Sequence, residues 1–130
     1  MKSKIIKIRC NGILVQLPAE EIICCIAERS YTRIICDTKL SGILISKPIG
    51  FIENNYECGS LIRCHKSHLV NLKKVEFFSS KCRYVSVFGK KIAISRRKSA
   101  YIFQNLLDLG VPDRKNIDRS SNILTVRKEK

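Results

Sequence analysis

LIRCHKSHLVNL, residues 61–72, is the segment from which we interpret the rest of the chain. An apolar pair opens it at 61–62, and a second apolar pair closes it at 69–70. The side chains between these pairs are mostly hydrogen-bond donors: Arg63, His65, Lys66, Ser67 and His68. Buried anchors on both sides would hold the donors in a fixed geometry. Because arginine and lysine pair with phosphate oxygens and guanine edges, the segment predicts a site for an anionic partner.

The overall charge favours the same kind of partner. The chain has 130 residues, enough for one domain with a single core, and 25 Lys and Arg against 11 Asp and Glu give a net charge of +14. A basic ribosomal or membrane-surface protein would share this charge, so it does not by itself choose among polyanions.

No apolar run approaches the roughly 18 residues that span a bilayer, and no signal-like segment follows Met1. We therefore expect a cytoplasmic protein without a membrane partner.

The cysteines do not predict a disulfide framework or a zinc ribbon. There are seven, an odd number, and none forms a CxxC pair. Most lie inside apolar runs, where a reduced thiol packs as a small hydrophobic group. The seven are Cys10, Cys24, Cys25, Cys36, Cys58, Cys64 and Cys82.

Short alternating segments predict an antiparallel, mainly β domain. Asn11-Gly12 is a dipeptide favoured in hairpin turns, and Gly42 suggests a bulge or a close contact inside a strand. In the segment 31–36, alternation places Tyr31, Arg33 and Ile35 on one face and the other three residues on the opposite face. Besides the opening segment, the predicted strands cover 4–9, 13–17, 23–27, 31–36, 39–45, 75–79, 84–88 and 91–94.

Two helices are predicted. A short one, capped by Ser46, runs through Asn54 and buries Ile49, Ile52 and Tyr56. A longer one covers 96–109, with Ser95 as its cap and Gly110 as its stop. Its apolar face is formed by Ile102, Phe103, Leu106, Leu107 and Leu109.

Three motifs together resemble the LytTR DNA-binding domain of bacterial transcription regulators. Residues 62–71 follow the family pattern closely, although His68 stands where an aromatic residue is usual. Residues 30–33 match an Asn-Tyr-Thr-Arg segment with serine in place of asparagine, and residues 95–97 match a Ser-Arg-Arg junction before a helix. The resemblance implies an elongated antiparallel β-sheet domain over 5–109, with one short helix and one longer C-terminal helix. A polar, flexible tail over 110–130 and the absence of a receiver domain are further expectations.

The resemblance also implies a function and its residues. It implies sequence-specific binding of double-stranded DNA by loops that enter successive major grooves, for transcription regulation. The implied base contacts are Thr32, Lys66 and Arg97. Phosphate contacts are expected from Arg33, Lys47, Arg63, His65 and Arg96, and structural support from Asn71 and Ser95. His65 fits a structural role equally well.

Other classes of function are less favoured by the residues. Cys64, His65 and His68 lack a second ligand cluster for a metal, and no paired carboxylates or glycine-rich phosphate loop indicate an enzyme, so we expect no catalysis, metal or cofactor. A structural RNA-binding or nonspecific nucleic-acid-binding protein would explain the charge but not the three motifs together. A partner-binding module without DNA recognition is a third alternative. The expected partners are DNA with repeated sites, a second copy of the chain on DNA, and a separate signalling protein.

Overall fold

The computed structural model describes residues 5–10, 12–37, 39–55 and 60–114. The chain divides into two compact units, residues 1–73 and 74–130. Three predicted features lie outside the described residues: Asn11 of the first hairpin turn, Tyr56 of the short helix's apolar stripe, and the expected tail beyond residue 114.

The first unit is built from antiparallel strands, one short helix and one 3₁₀ turn. A hairpin of β1 and β2 forms one sheet, and a five-stranded sheet has the order β5-β4-β3-β7-β6. A 3₁₀ turn at Ala19–Glu21 connects β2 to β3. The elements are β1 (Ile5–Cys10), β2 (Ile13–Pro18), β3 (Ile22–Glu28), β4 (Tyr31–Cys36), β5 (Lys39–Ile45), α1 (Ile49–Asn55), β6 (Leu61–His65) and β7 (His68–Asn71).

The pairing registers bring three connections to one end of the five-stranded sheet. Glu28, the last residue of β3, pairs with Tyr31, and His65, the last residue of β6, pairs with His68. At the same end, Ile45 of β5 pairs with Thr32 near the start of β4. We call this the turn end of the sheet, formed by residues 28–31, 45–47 and 65–68.

Apolar side chains on one face of these strands form the core of the first unit. β3 is a nearly continuous apolar run with its first four residues buried, as expected for a central strand covered on both faces. Ile34 and Cys36 of β4 join the core, as does Ile52 of α1. The buried members are Ile6, Ile8, Leu17, Ala19, Ile22, Cys25, Ile34, Cys36, Ile45, Ile49, Ile52 and Leu69.

The second unit is a three-stranded antiparallel sheet followed by the longer helix. The sheet has the order β10-β9-β8. Its core includes stacked rings of Phe78 and Phe103, with centroids 4.9 Å apart, and fully buried Ile102 and Leu106. The elements are β8 (Phe77–Ser79), β9 (Tyr84–Val87), β10 (Lys90–Ala93) and α2 (Arg96–Asp108). Together, the two units confirm a mainly β fold with antiparallel sheets, one short helix and one longer C-terminal helix.

The C-terminal end of α2 confirms the predicted stop at Gly110. Gly110 has φ +84°, and its N–H donates to the carbonyl of Leu107 at 3.0 Å. The N–H of Val111 donates to Leu106 at 2.9 Å, which completes a Schellman motif. The predicted apolar face is too wide, however. Leu107 and Leu109 are exposed, because the helix buries only the narrower stripe that contains Leu106.

The predicted N-terminus of α1 is wrong by two residues. The helix begins at Ile49, and the N–H of Phe51 donates to the carbonyl of Pro48 at 2.9 Å. Pro48 therefore takes the position before the helix that was predicted for Ser46. Its ring fixes φ near the value that a helix entry requires.

Ordered structure continues past the expected domain boundary at Leu109. The N–H of Phe78 donates to Pro112 at 3.0 Å, and the N–H of Arg114 donates back to Phe78 at 2.6 Å. The carboxylate of Asp113 accepts from the hydroxyl of Ser80 at 2.5 Å. Residues 112–114 are thus held along β8, and the expectation of a flexible tail from residue 110 does not apply to them.

The described cysteines agree with the prediction of reduced thiols, with one exception in burial. Cys24, Cys25, Cys36 and Cys64 are buried reduced thiols, whereas the reduced thiol of Cys82 is exposed. Burial is the main cause that raises the pKa of Cys36 to about 11. That thiol stays protonated at neutral pH and acts as a core group.

Substitution of Gly42 tests the close contact in β5. Gly42 has φ +93°, and a Cβ there would lie 2.6 Å from Cγ of Arg33, so we expect Gly42→Ala to lower the free energy of unfolding by about 1–3 kcal/mol. The matched control is Gly50→Ala in α1, where a Cβ meets nothing within 4 Å and a gain of about 0.5–1 kcal/mol is expected. Urea unfolding measures both; equal effects of the two substitutions would contradict the assignment.

Candidate functional site

The β6–β7 hairpin presents Lys66 at the turn end of the sheet. Lys66 and Ser67 are the two residues between the paired His65 and His68. The register shifts between Arg63 and His65, which marks a bulge at the intervening cysteine, and such bulges bend a strand and redirect its side chains. Lys66 is exposed, so its ammonium group projects from the tip.

Arg63 holds the backbone of this tip. Its Nε donates to the carbonyl of His65 at 3.0 Å, and its Nη2 donates to the carbonyl of Lys66 at 2.7 Å. Its Nη1 forms an ion pair with Glu53 of α1. Phosphate contact was predicted for Arg63, but its guanidinium makes these bonds within the protein. Through the two carbonyls, it holds the backbone that carries Lys66.

Two further hydrogen bonds fix the same turn. The N–H of Ser67 donates to Nδ1 of His65 at 3.2 Å, and the N–H of Ala27 donates to the carbonyl of Ser67 at 2.9 Å. Since Nδ1 of His65 accepts this bond, its ring proton lies on Nε2, which remains a donor. Of the two roles left open for His65, the structural one is therefore present in the fold.

Thr32 does not fit the predicted base contact. Its side chain is fully buried, and its hydroxyl donates to the carbonyl of Lys47 at 2.7 Å. The sequence contained the signal for this, because strand alternation places Thr32 on the same face as Ile34 and Cys36, which are core residues. The hydroxyl instead ties the start of β4 to the segment after β5.

Arg33 is engaged in an ion pair at the turn end. Its Nε lies 2.6 Å from Oε2 of Glu28, and its Nη2 donates to Oε1 at 3.2 Å. The hydrogen bond from Arg33 is the main cause that lowers the pKa of the Glu28 carboxyl. The guanidinium predicted to contact phosphate thus neutralises an acid beside the β3–β4 turn.

Lys47 lies at the same end, after β5. Its Nζ is 4.8 Å from the ring centroid of Phe51, a cation–π distance. Its own carbonyl accepts from Thr32, which anchors the backbone while the ammonium group stays partly exposed.

Asn71 supports the sheet at its opposite end. Its Nδ2 donates to the carbonyl of Ile22 at 2.8 Å, and its Oδ1 accepts from the N–H of Lys73 at 3.0 Å. Structural support was expected from Asn71. Its side-chain amide joins the start of β3 to the turn after β7.

In the second unit, Arg96 and Arg97 open helix α2. Both are exposed, and no acidic residue lies in the first turn. Ser95 occupies the cap position with extended backbone, but its side chain makes no cap hydrogen bond. It contributes its carbonyl, which accepts from the N–H of Lys98 at 3.1 Å. The predicted side-chain cap is therefore wrong, although the predicted position is right.

Comparison with known proteins decides the family. Residues 12–107 match the model of the LytTr DNA-binding domain. The chain belongs to this family. Membership makes it a DNA-binding domain of transcription regulation. The fold is also similar to the solved LytTr DNA-binding domain of a response regulator from Bacillus cereus, with a TM-score of 0.63 and 19% identity over 82% of this chain and 98% of that one. No curated protein matches the chain.

The site of this LytTr domain contains residues that sequence reasoning missed. Two of these are Glu28 and Glu53, which form ion pairs with Arg33 and Arg63. No sequence motif indicated them, because neither is adjacent in sequence to its arginine. Arg29 at the β3–β4 turn is exposed and was not singled out. The predicted strands 23–27 and 31–36 place Arg29 in the connection between them. The residues that lie beside Arg29 at the turn end are set by the order of the strands in the sheet.

In the described parts of the chain, no group of three or more His, Cys, Asp or Glu side chains could hold a metal ion. The Sγ of Cys64 lies 3.7 Å from the carbonyl of His68. No helix among the described residues is long and apolar enough to cross a membrane.

His68, which stands at the family's aromatic position, is expected to make stability depend on pH. Its Nδ1 is buried without a hydrogen-bond partner, and burial, followed by the charge of His65, lowers its pKa. The folded state therefore favours the neutral ring. The stability contributed by the neutral His68 ring is fully present above the ordinary histidine pKa of about 6.5. It is lost as the pH falls through the lower pKa that His68 has in the folded state.

Substitution of His68 by phenylalanine tests this dependence. We expect His68→Phe to raise the free energy of unfolding at pH 7.5 by about 1 kcal/mol, because it removes an unpaired buried nitrogen. It should also reduce the difference in stability between pH 7.5 and pH 5.5, measured by urea unfolding. An unchanged pH difference would contradict this role.

Removal of Arg63 tests its positioning role. Arg63→Ala should lower the free energy of unfolding by about 1–3 kcal/mol, because two carbonyls and a carboxylate lose a charged donor. Amide hydrogen exchange at Ala27 should accelerate, since its acceptor lies in the same turn. The matched control is the adjacent Lys66→Ala, expected to change stability by less than about 0.5 kcal/mol. Equal exchange rates in the two variants would contradict the role.

Proposed function

We propose that this LytTr domain binds double-stranded DNA sequence-specifically and regulates transcription by inserting turns, rather than a recognition helix, into major grooves. The observation that carries the proposal is the held tip of the β6–β7 hairpin. Its backbone is fixed by Arg63 and Ala27, while the lysine at its centre is exposed. A charged donor on a fixed backbone loses little conformational freedom on binding beyond that of its own side chain.

The local charge supports an anionic groove as the target. Glu28 and Glu53 are each bound to an arginine, so they do not offset the other cations at the turn end. Lys47 and Lys66 remain as cations without an ion pair among the described residues. Lysines that neutralise phosphates release counterions, and this release supplies much of the affinity for DNA.

We assign the base contacts to Lys66 and Arg97. Lys66 is a point donor suited to guanine or phosphate, whereas the fork of Arg97 fits guanine O6 and N7. We assign phosphate contacts to Lys47 and to Arg96, which lies at a helix N-terminus where the partial positive charge favours anions. His65 contributes its Nε2–H to a phosphate while its other nitrogen holds the turn.

We propose different roles for three of the expected residues. Thr32 is withdrawn as a base contact, since its hydroxyl is buried and bonded. Arg33 and Arg63 are assigned to positioning, because phosphate contact by either would release a carboxylate. DNA with repeated sites, a second copy of the chain on that DNA and a separate signalling protein remain the proposed partners, in a cytoplasmic setting.

Selection from random duplex DNA, followed by sequencing at two salt concentrations, tests the function. We expect a repeated motif spaced about one helical turn apart. Arg97→Ala should remove the preference for one guanine position and weaken binding by about 1–3 kcal/mol. The matched control is Lys73→Ala, which removes the same charge from an exposed residue at the opposite end of the sheet.

Two outcomes would contradict the proposal. Binding without any motif that disappears at the higher salt would indicate a nonspecific binder acting through its positive charge. Stronger binding to structured RNA than to the selected duplex would indicate an RNA-binding protein. In either case, Lys66→Ala and Arg97→Ala would behave like the control.

A further inference from the structure

The β3–β4 turn carries an exposed arginine, Arg29, to which the proposed function assigns no contact. Arg29 and Ser30 are the two residues between the paired Glu28 and Tyr31. Both turn residues are exposed. The turn therefore presents one cation at its tip, as the β6–β7 hairpin presents Lys66.

The backbone at Arg29 has a conformation that favours other residues. Its φ is +62°, and the first position of such two-residue hairpin turns favours glycine, asparagine or aspartate. Arg83 and Phe88 also have positive φ, so this conformation alone does not identify a site. Because a positive φ does not favour arginine, the turn conformation does not explain why an arginine occupies this position.

The sheet order places Arg29 beside the tip of the β6–β7 hairpin. β3 lies between β4 and β7, and Ile26 pairs with Arg33 on one side and His68 on the other. The N–H of Ala27 donates to the carbonyl of Ser67 at 2.9 Å. Neighbouring strands lie about 4.8 Å apart, so the two turns project from adjacent positions.

The guanidinium of Arg29 has no charged partner in the part of the chain that the structure describes. Its sequence neighbour Glu28 is bound by Arg33 through both carboxylate oxygens. Among the described residues, Arg29 has neither an ion pair nor a side-chain hydrogen bond. Its five N–H donors are therefore available to a partner.

We propose that Arg29 supplies the base contact of the β3–β4 turn, as a bidentate pair with a guanine, at the place that the buried Thr32 does not fill. This inference rests on the proposed function. A turn tip reaches further into a groove than the strands behind it, and the guanidinium fork matches guanine O6 and N7. Arg29 then contacts a base close to the one contacted by Lys66, because their turns are neighbours.

Three variants of the whole chain test the inference. Arg29→Gly removes the side chain and suits the positive φ, so it should unfold at the same or a higher temperature than the wild type. Arg29→Lys keeps the charge but loses the fork. Lys73→Ala removes one charge from the opposite end of the sheet and serves as the control. The probe is the duplex that the wild type selects from a random pool, together with versions substituted at each guanine.

The expected result is a loss at one guanine position. Arg29→Gly and Arg29→Lys should each weaken binding to the selected duplex by roughly 5- to 100-fold and remove the preference at a position that Arg97→Ala leaves intact. Lys73→Ala should keep the wild-type preference at every position.

Two results would overturn the inference while leaving the proposed function in place. The first is wild-type affinity and preference in Arg29→Gly. The second is an equal weakening on all duplexes with rescue by Arg29→Lys, which would identify a phosphate contact. A wild type that selects no motif would overturn the proposed function itself, so the two failures are distinguishable.

Discussion

Backbone pairing of β3 with two neighbours is the constraint on which the site depends. β3 pairs antiparallel with β4 and with β7, so the strand lies inside the sheet, and its first four residues are buried. Antiparallel pairing on both sides brings the turns that follow β3 and β6 to the same end. A one-residue shift in either register would turn apolar residues away from the core, and the turns would move with the strands. Burial of β3 therefore also determines where Arg29 and Lys66 lie.

Charge at the turn end is divided between cations that hold the protein and cations that remain available. Arg33 and Arg63 each bind a carboxylate, and Arg63 also binds two carbonyls of the tip. Arginine suits this task because its planar fork makes several hydrogen bonds in fixed directions. Lysine at the tip makes none of these bonds. The cations at the turn end therefore fall into two groups, those bonded within the protein and those exposed to a partner. Only the contacts in the folded structure distinguish the two groups.

Local patterns predicted much of the fold. Alternation predicted β4 and β5 with their observed bounds, and Gly110 marked the end of α2 because a positive φ favours glycine there. Predictions that depended on side-chain partners were less successful. Ser95 has the backbone of a cap but no side-chain bond, and Leu107 is exposed because the width of a helix's buried stripe is set by what packs against it.

The sequence by itself determined the family, the strands and the excess of cations, because motifs, periodicity and charge are local properties. Only the tertiary structure decided which cations are available. Glu53 lies ten residues before Arg63, and Lys47 lies fifteen after Thr32. Residues so far apart in sequence meet only when the strands and the helix pack together. No local sequence pattern predicts such contacts. For the same reason, only the sheet order places Arg29 beside Lys66, and only the packing shows that the Thr32 side chain is buried.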